Sequence, residues 1–289
     1  MKVVLAGDCG VDRYVSLGVD RPGGITLNVA AHARRLFPPS DSIAVLTALG
    51  NDREAAMVRE ALRGLDVEIL LRELPGSTSL QLIDLEPSGE KIFVSYHQGV
   101  LGDYRVGEEE RALIAESDLL VAPHYRQIDG FFSSVMASPS RGIRAVDFAD
   151  ISEDPGTGNV ERFVDFLDIA FLGLPPPPSG LLRGPAEALR AEADDPSHAG
   201  LIDELETIAR LKGKLLVVTL GAGGSVALGG AARIFCPAAP VEKVVDTTGA
   251  GDTYAAAFLS EYVVSKNVAR SLARGAEEAA KTIQQVGAF

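Results

Sequence analysis

The chain has 289 residues, enough for one large α/β domain or two smaller ones. It is 46% hydrophobic with 30 glycines, a globular profile that carries no signature of disorder. A formal net charge of −13 with no basic run argues against nucleic acid and anionic membrane as partners.

Lys2–Ala6 is a short β-rich apolar run ending in Gly7-Asp8, the pattern of a buried parallel strand. Such a brief apolar opening is expected to be a first strand and not a signal peptide, and no run approaches the ~20 apolar residues of a membrane span. Residues 11–19 alternate more roughly, as a short strand outside the main core. Pro22-Gly23-Gly24 reads as a turn, and residues 26–36 as a helix with Thr26 as its cap. A buried strand follows at 43–49. Residues 52–65 form an amphipathic helix with Ala56, Met57, Ala61, Leu62 and Leu65 on one face. Another strand covers 67–72.

The rhythm changes at Ser79. Two alternating runs, 79–85 and 91–96, flank Glu86-Pro87-Ser88-Gly89-Glu90, a β-hairpin signal and not part of a βαβ unit. Tyr96, His97 and Gln81 on it face either a ligand or solvent. The βα alternation then resumes: helices near 108–116, 128–137 and 160–166 alternate with strands at 118–122, 143–148 and 168–172. Pro175-Pro-Pro-Pro178 is a stiff loop, since proline fixes φ and donates no hydrogen bond. Helices are expected at 186–193 and 199–211, a strand at 215–220, and an antiparallel pair at 225–228 and 233–236. A last helix runs near 267–285. Repeated βα units imply a mostly parallel, doubly wound sheet with helices on both faces, three layers αβα, binding ligands outside the C-terminal strand ends. The alternation continues throughout, which implies one domain over 1–289 with a protruding flap built from about 11–22 and 79–98. Cys9 and Cys236 make no disulfide scaffold; a reduced, cytoplasmic chain is expected.

The organising stretch is Asp246-Thr-Thr-Gly-Ala-Gly-Asp252-Thr-Tyr-Ala-Ala-Ala-Phe258. Gly249-Ala250-Gly251 bears almost no side chains and lies where a helix starts, so its N–H groups suit an anion. Asp252 falls in the first turn. A carboxylate beside a phosphoryl group helps only if it takes a proton from a nucleophile, which reads as phosphoryl transfer to an alcohol. An ordinary Gly-rich turn with Asp as an N-terminal charge fits the local physics equally well.

The stretch resembles the C-terminal signature of the ribokinase-like (PfkB) carbohydrate kinases. The resemblance implies a ribokinase-like fold, an ATP-dependent kinase acting on a sugar or sugar derivative, Asp252 as base, and Gly249, Ala250 and Gly251 as the anion hole. Gly23-Gly24-Ile25-Thr26-Leu27-Asn28 resembles the family's N-terminal Gly-Gly motif, so Gly23, Gly24 and Asn28 are implied to hold substrate, together with Asp12 after the first strand. Asp8 reads as structural. Thr219-Leu-Gly221-Ala-Gly-Gly224 resembles the T-x-G-x-x-G turn along the nucleotide, with Thr219, Gly221 and Gly224 as contacts. The resemblance implies Mg²⁺ with ATP, and K⁺ or another monovalent cation at the Asp246 and Thr248 backbone. The family's Asn-x-x-Glu is missing after the strand at 168–172. The last ten residues, with Asp147-Phe-Ala-Asp150 and Leu167-Asp-Ile-Ala-Phe171, are similar to fructoselysine 6-kinases. A nucleoside kinase and a catalytically silent sugar or nucleotide binder are the alternatives. The flap edges imply a homodimer.

Overall fold

Four consecutive apolar residues, Val3 to Ala6, make β1 (Lys2–Ala6) a strand that must be covered on both faces. Its side chains alternate between two separate cores: Val3 and Leu5 face one, Val4 and Ala6 the other. The computed structural model describes residues 1–150, 156–174 and 196–289, with the side chains of Asp150 and residues 196–199 left aside. The polyproline loop and the expected helix at 186–193 lie outside the described residues.

Around β1 lies a nine-stranded sheet. Its central strands are β4 (Ser42–Leu49), β5 (Glu68–Glu73), β8 (Leu119–Pro123), β9 (Ile143–Asp150), β10 (Ile169–Gly173) and β11 (Leu215–Thr219), all parallel. β12 (Ser225–Leu228) and β13 (Ile234–Cys236) close one side antiparallel, as expected. The order is β13-β12-β11-β10-β9-β8-β1-β4-β5. The chain winds outward from β1 to β5, then returns and winds the other way from β8, so the winding reverses between β1 and β8. Open α/β sheets leave a crevice there, beyond the carboxyl ends of the strands.

One core is filled by α1 (Ile25–Leu36), α2 (Arg53–Arg63), α7 (Ala250–Ser265) and α8 (Val268–Thr282). The other is filled by α3 (Glu108–Ala115), α4 (Asp129–Met136), α5 (Gly158–Phe163) and α6 (Pro196–Lys212). α7 is apolar nearly all round because it is enclosed: Phe258 is fully buried, edge-on to Phe171 at 5.4 Å, and the Tyr254 hydroxyl meets Ser225 at 2.7 Å. Burying such a ring contributes ~2–3 kcal/mol, enough to fix the helix whose start forms the site. No described helix is long and apolar enough to cross a membrane.

The second sheet has the order β3-β2-β6-β7, with β2 (Gly10–Tyr14), β3 (Val19–Gly23), β6 (Ser79–Leu85) and β7 (Lys91–His97). The hairpin lies where its alternation put it. The segment 11–19 is not one strand, however. It turns back between Tyr14 and Val19, where Gly18 adopts φ +63°, and β2 pairs parallel to β6. Pro22 and Gly23 are also not a turn. They finish β3, an outer strand where a missing N–H is tolerated. Gly24 alone turns the chain, at φ +94°, and caps α1; Thr26 lies inside the first turn with its N–H on the Asp8 carbonyl at 3.2 Å.

Candidate active site

The entry to α7 is fixed by two glycines with different requirements. Gly249 sits at φ +77° as the residue before the helix, and a Cβ there would fall 2.4 Å from that of Ala288. Gly251 is exposed, and a Cβ on it would meet nothing within 4 Å. Among the described residues, the N–H groups of Gly249 and Gly251 have no hydrogen-bond partner. Ala250, expected as a third donor, differs. Its N–H turns back to the Thr247 carbonyl at 3.3 Å, the bend that starts the helix.

Asp252 stands one residue further on, 9% exposed, accepting a 2.7 Å hydrogen bond from the Asn28 side-chain amide. Burial, reinforced by the charge of Asp147, pushes its carboxyl up to about 8. The Asn28 carbonyl oxygen is buried and unpartnered. Asn28 reaches this place because its N–H closes the first turn of α1 on the Gly24 carbonyl at 2.9 Å.

Asp12 on β2 is buried, and burial with the charges of Asp8 and Asp246 pushes it up to about 7. A Cβ on Gly23 would lie 2.2 Å from the Asp12 carboxyl carbon, and one on Gly24 2.8 Å from the Asp8 carbonyl oxygen. Both glycines therefore make room for carboxylates. Asp12, Gly23, Gly24, Asn28 and Asp252 converge at the C-terminal edge of the sheet, beneath the four-stranded flap.

The residues expected at the nucleotide lie at the end of β11 and in the turn after it. Thr219 ends β11, and its hydroxyl donates to the Leu172 carbonyl at 3.4 Å. Gly221 and Gly224 take φ +53° and +97°, and a Cβ on Gly224 would lie 2.3 Å from the Cys236 carbonyl oxygen. This turn therefore packs against β13. Asp246 is fully buried and takes hydrogen bonds from the Tyr14 hydroxyl (2.7 Å), the Thr248 N–H (2.8 Å) and the Gly287 N–H (2.8 Å). The Thr248 hydroxyl is buried without a partner. Among the described residues no group of three or more His, Cys, Asp or Glu is placed to hold a metal ion.

Several residues at the site were not singled out from the sequence. Asp147, at the C-terminal half of β9, is buried and raised to about 6 by burial. Lys91 opens β7, and its charge partly offsets those of Asp12, Asp147 and Asp252. The flap turn is pinned over the same region. The Lys91 N–H donates to the Thr247 hydroxyl at 3.1 Å and the Thr247 N–H to the Gly89 carbonyl at 3.1 Å. On the hairpin, Tyr96 reaches Tyr125, whereas Gln81 spends its amide on the Leu82 and Ser95 carbonyls and His97 is exposed. The C-terminal residues also back the site. Arg35 donates to His32 Nδ1 at 2.8 Å, so the Nε2 proton of that ring is available to the Ala288 carbonyl at 2.8 Å. Burial holds the ring neutral, down to about 4.

A reversed α/β sheet with a glycine-lined helix start, a buried carboxylate beside it and a β flap above is a ribokinase-like fold. The ribokinase of Arabidopsis thaliana, solved with ribose and ATP, superposes with a TM-score of 0.74 at 20% sequence identity, covering 99% of this chain and 93% of that one. Residues 185–289 match the pfkB family carbohydrate kinases. The fructoselysine 6-kinase of Shigella flexneri is 28% identical over 284 residues, 98% of this chain and 97% of its own. A fructosamine kinase of Bacillus subtilis (strain 168) is 27% identical over 293 residues, 100% of this chain and 93% of its own. The chain is thus similar to pfkB family carbohydrate kinases in its C-terminal third, and to these two kinases along nearly its whole length.

Proposed function

We propose that the protein transfers the γ-phosphoryl group of ATP to a hydroxyl of a sugar that carries an amine substituent, of the fructosamine class. The observation that carries the transfer is Asp252, buried against Asn28 one residue past an open, glycine-lined helix start. The fructosamine class is supported by the two curated relatives, a fructoselysine 6-kinase and a fructosamine kinase, which match nearly end to end.

In this reading Asp12, Asn28 and the Gly23-Gly24 backbone hold the sugar. Asp252 accepts the hydroxyl proton as that oxygen attacks the γ-phosphorus. A carboxyl near 8 is a competent base at neutral to alkaline pH. The free N–H groups of Gly249 and Gly251 stabilise the charge developing on the phosphoryl oxygens, worth ~3 kcal/mol per well-placed donor. The nucleotide lies along Gly221 to Gly224. Mg²⁺ enters with ATP and neutralises phosphate charge, held by phosphate oxygens and water, since no described cluster forms a cage. A monovalent cation such as K⁺ suits the orphaned Thr248 hydroxyl beside Asp246, where it would steady the helix start. The flap excludes water during transfer. Its outer face exposes Val15, Leu17, Ile92, Phe93 and Val94, which suits pairing with a second copy in a homodimer.

The test is ADP release from ATP, Mg²⁺ and K⁺ across a panel of hexoses, pentoses, fructosamines and nucleosides. Release that depends on a fructosamine supports the reading. Release with nucleosides alone, or binding of sugar and ATP without turnover, overturns it.

A further inference from the structure

Four acidic side chains, Asp8, Asp12, Asp147 and Asp252, are buried at the C-terminal edge of the sheet, and the charge of Lys91 partly offsets those of Asp12, Asp147 and Asp252. Their hydrogen bonds are unevenly filled. Asp252 has Asn28, and Asp147 takes the Ala149 N–H at 2.8 Å. Asp8, 3% exposed, receives the Ile25 N–H on one oxygen at 3.3 Å and lies against the Tyr125 hydroxyl, and its Oδ1 is left without a well-formed hydrogen bond. A sugar's hydroxyl groups can donate hydrogen bonds here, but they bring no positive charge. An unpaired buried carboxylate costs far more than an unpaired neutral group.

Two aromatic side chains stand beside that oxygen. Tyr125, just beyond β8, has its hydroxyl facing the Asp8 carboxylate. Tyr96, on the flap strand β7, meets the Tyr125 hydroxyl at 2.7 Å, with the rings edge to face at 5.2 Å. Asp8 ends β1, Tyr125 follows β8, and the two strands are neighbours at the point where the sheet reverses. The Asn28 carbonyl oxygen, 3% exposed on α1 and unpartnered, points independently to a ligand that donates hydrogen bonds in this space. Carboxylate, tyrosine hydroxyls and unfilled acceptors together are the chemistry that receives an alkylammonium group.

We infer that Asp8, with the Tyr96–Tyr125 pair, forms a subsite for the protonated amine of the substrate, next to the sugar pocket at Asp12 and Asn28. The subsite deepens the proposed function and rests on the fructosamine reading.

The experiment is calorimetric binding, without ATP, of 1-amino-1-deoxyfructose and of fructose to the wild-type protein, Asp8→Asn and Tyr125→Phe. The wild type is expected to bind the amino sugar at least tenfold more tightly than fructose. Asp8→Asn abolishes most of that ratio, tenfold being about the scale of one hydrogen bond to a charged group, while changing fructose affinity less than about threefold. Tyr125→Phe lowers the same ratio by a smaller factor and serves if Asp8→Asn fails to fold. Equal binding of both sugars by the wild type overturns the subsite, as does a parallel loss for both sugars in both variants, or no binding of either. Because ATP is absent, a selective binder that never turns over would keep the subsite and defeat only the kinase reading.

Discussion

Asp252→Asn separates catalysis from stability. The substitution keeps the shape of the side chain and an oxygen that accepts from Asn28, so the fold is expected to survive. Loss of a general base typically lowers turnover by ~10²–10⁴-fold. Stability moves the other way. The carboxyl is raised from 3.8 to about 8, first by burial and then by Asp147, so the folded protein binds this proton more tightly than the unfolded chain. That preference is fully stabilising below about pH 4 and is lost as pH rises through about 8. Four units at ~1.4 kcal/mol each set a ceiling of about 6 kcal/mol on the strain at alkaline pH. Part of it belongs to the field of Asp147, so asparagine is expected to recover a few kcal/mol at pH 9 and about a third of that at pH 5. At ~2–4 °C per kcal/mol the variant melts several degrees higher than wild type at pH 9. The assay pairs sugar-dependent ADP release with thermal melts at both pH values. Near-normal turnover refutes the base, and identical melts at pH 9 refute the burial argument. In the wild type, kcat/KM is expected to fall as pH drops below about 8, as the base gains its proton.

Three other substitutions report on the surrounding structure. Gly251→Ala puts a methyl group into space that no protein atom fills. Its thermal midpoint is expected to stay level or rise, since alanine is favoured in helices by ~0.5–1 kcal/mol, while phosphoryl transfer falls tenfold or more. Gly249→Ala meets both φ +77° and the Ala288 methyl, so it is expected to lose ~2–4 kcal/mol in urea titration. Tyr14→Phe removes one of three donors to buried Asp246, a loss of ~1.5–3 kcal/mol by the same titration.

What the sequence made legible was local. β1, β4 and β8 announce themselves as apolar runs of the right length. Asp52 was read as the first residue of the amphipathic helix, and the structure makes it the cap of α2, accepting the Ala55 N–H at 2.9 Å. The glycine-lined start of α7 was legible as a helix start from its glycines, but its chemistry only through the family resemblance, since an ordinary Gly-rich turn fits the local residues equally well. Pairing between distant segments was not. Nothing local to 11–19 says that it doubles back, or that β2 lies parallel to β6, because register is set by the partner strand. The same limit hid the carboxylate cluster. Asp8 and Asp147 each look like an acidic residue closing an apolar run, and only the order of β1, β8 and β9 in the sheet brings their charges together. Lys91 reads as an ordinary flap lysine until the turn at Gly89 is seen folded onto Val245, close enough that a Cβ would lie 2.9 Å from its carbonyl oxygen. The role of the last residues was invisible for a related reason: Gly287 matters through its N–H on Asp246, a backbone contact that no side-chain pattern encodes.

The most direct test is ³¹P NMR of a reaction containing the protein, ATP, Mg²⁺ and a fructosamine. A phosphomonoester resonance that grows in step with ADP, and needs both protein and sugar, is the predicted result. ATP consumed with release of inorganic phosphate alone, or no consumption under any sugar, would contradict the assignment of Asp252 and its helix start to phosphoryl transfer.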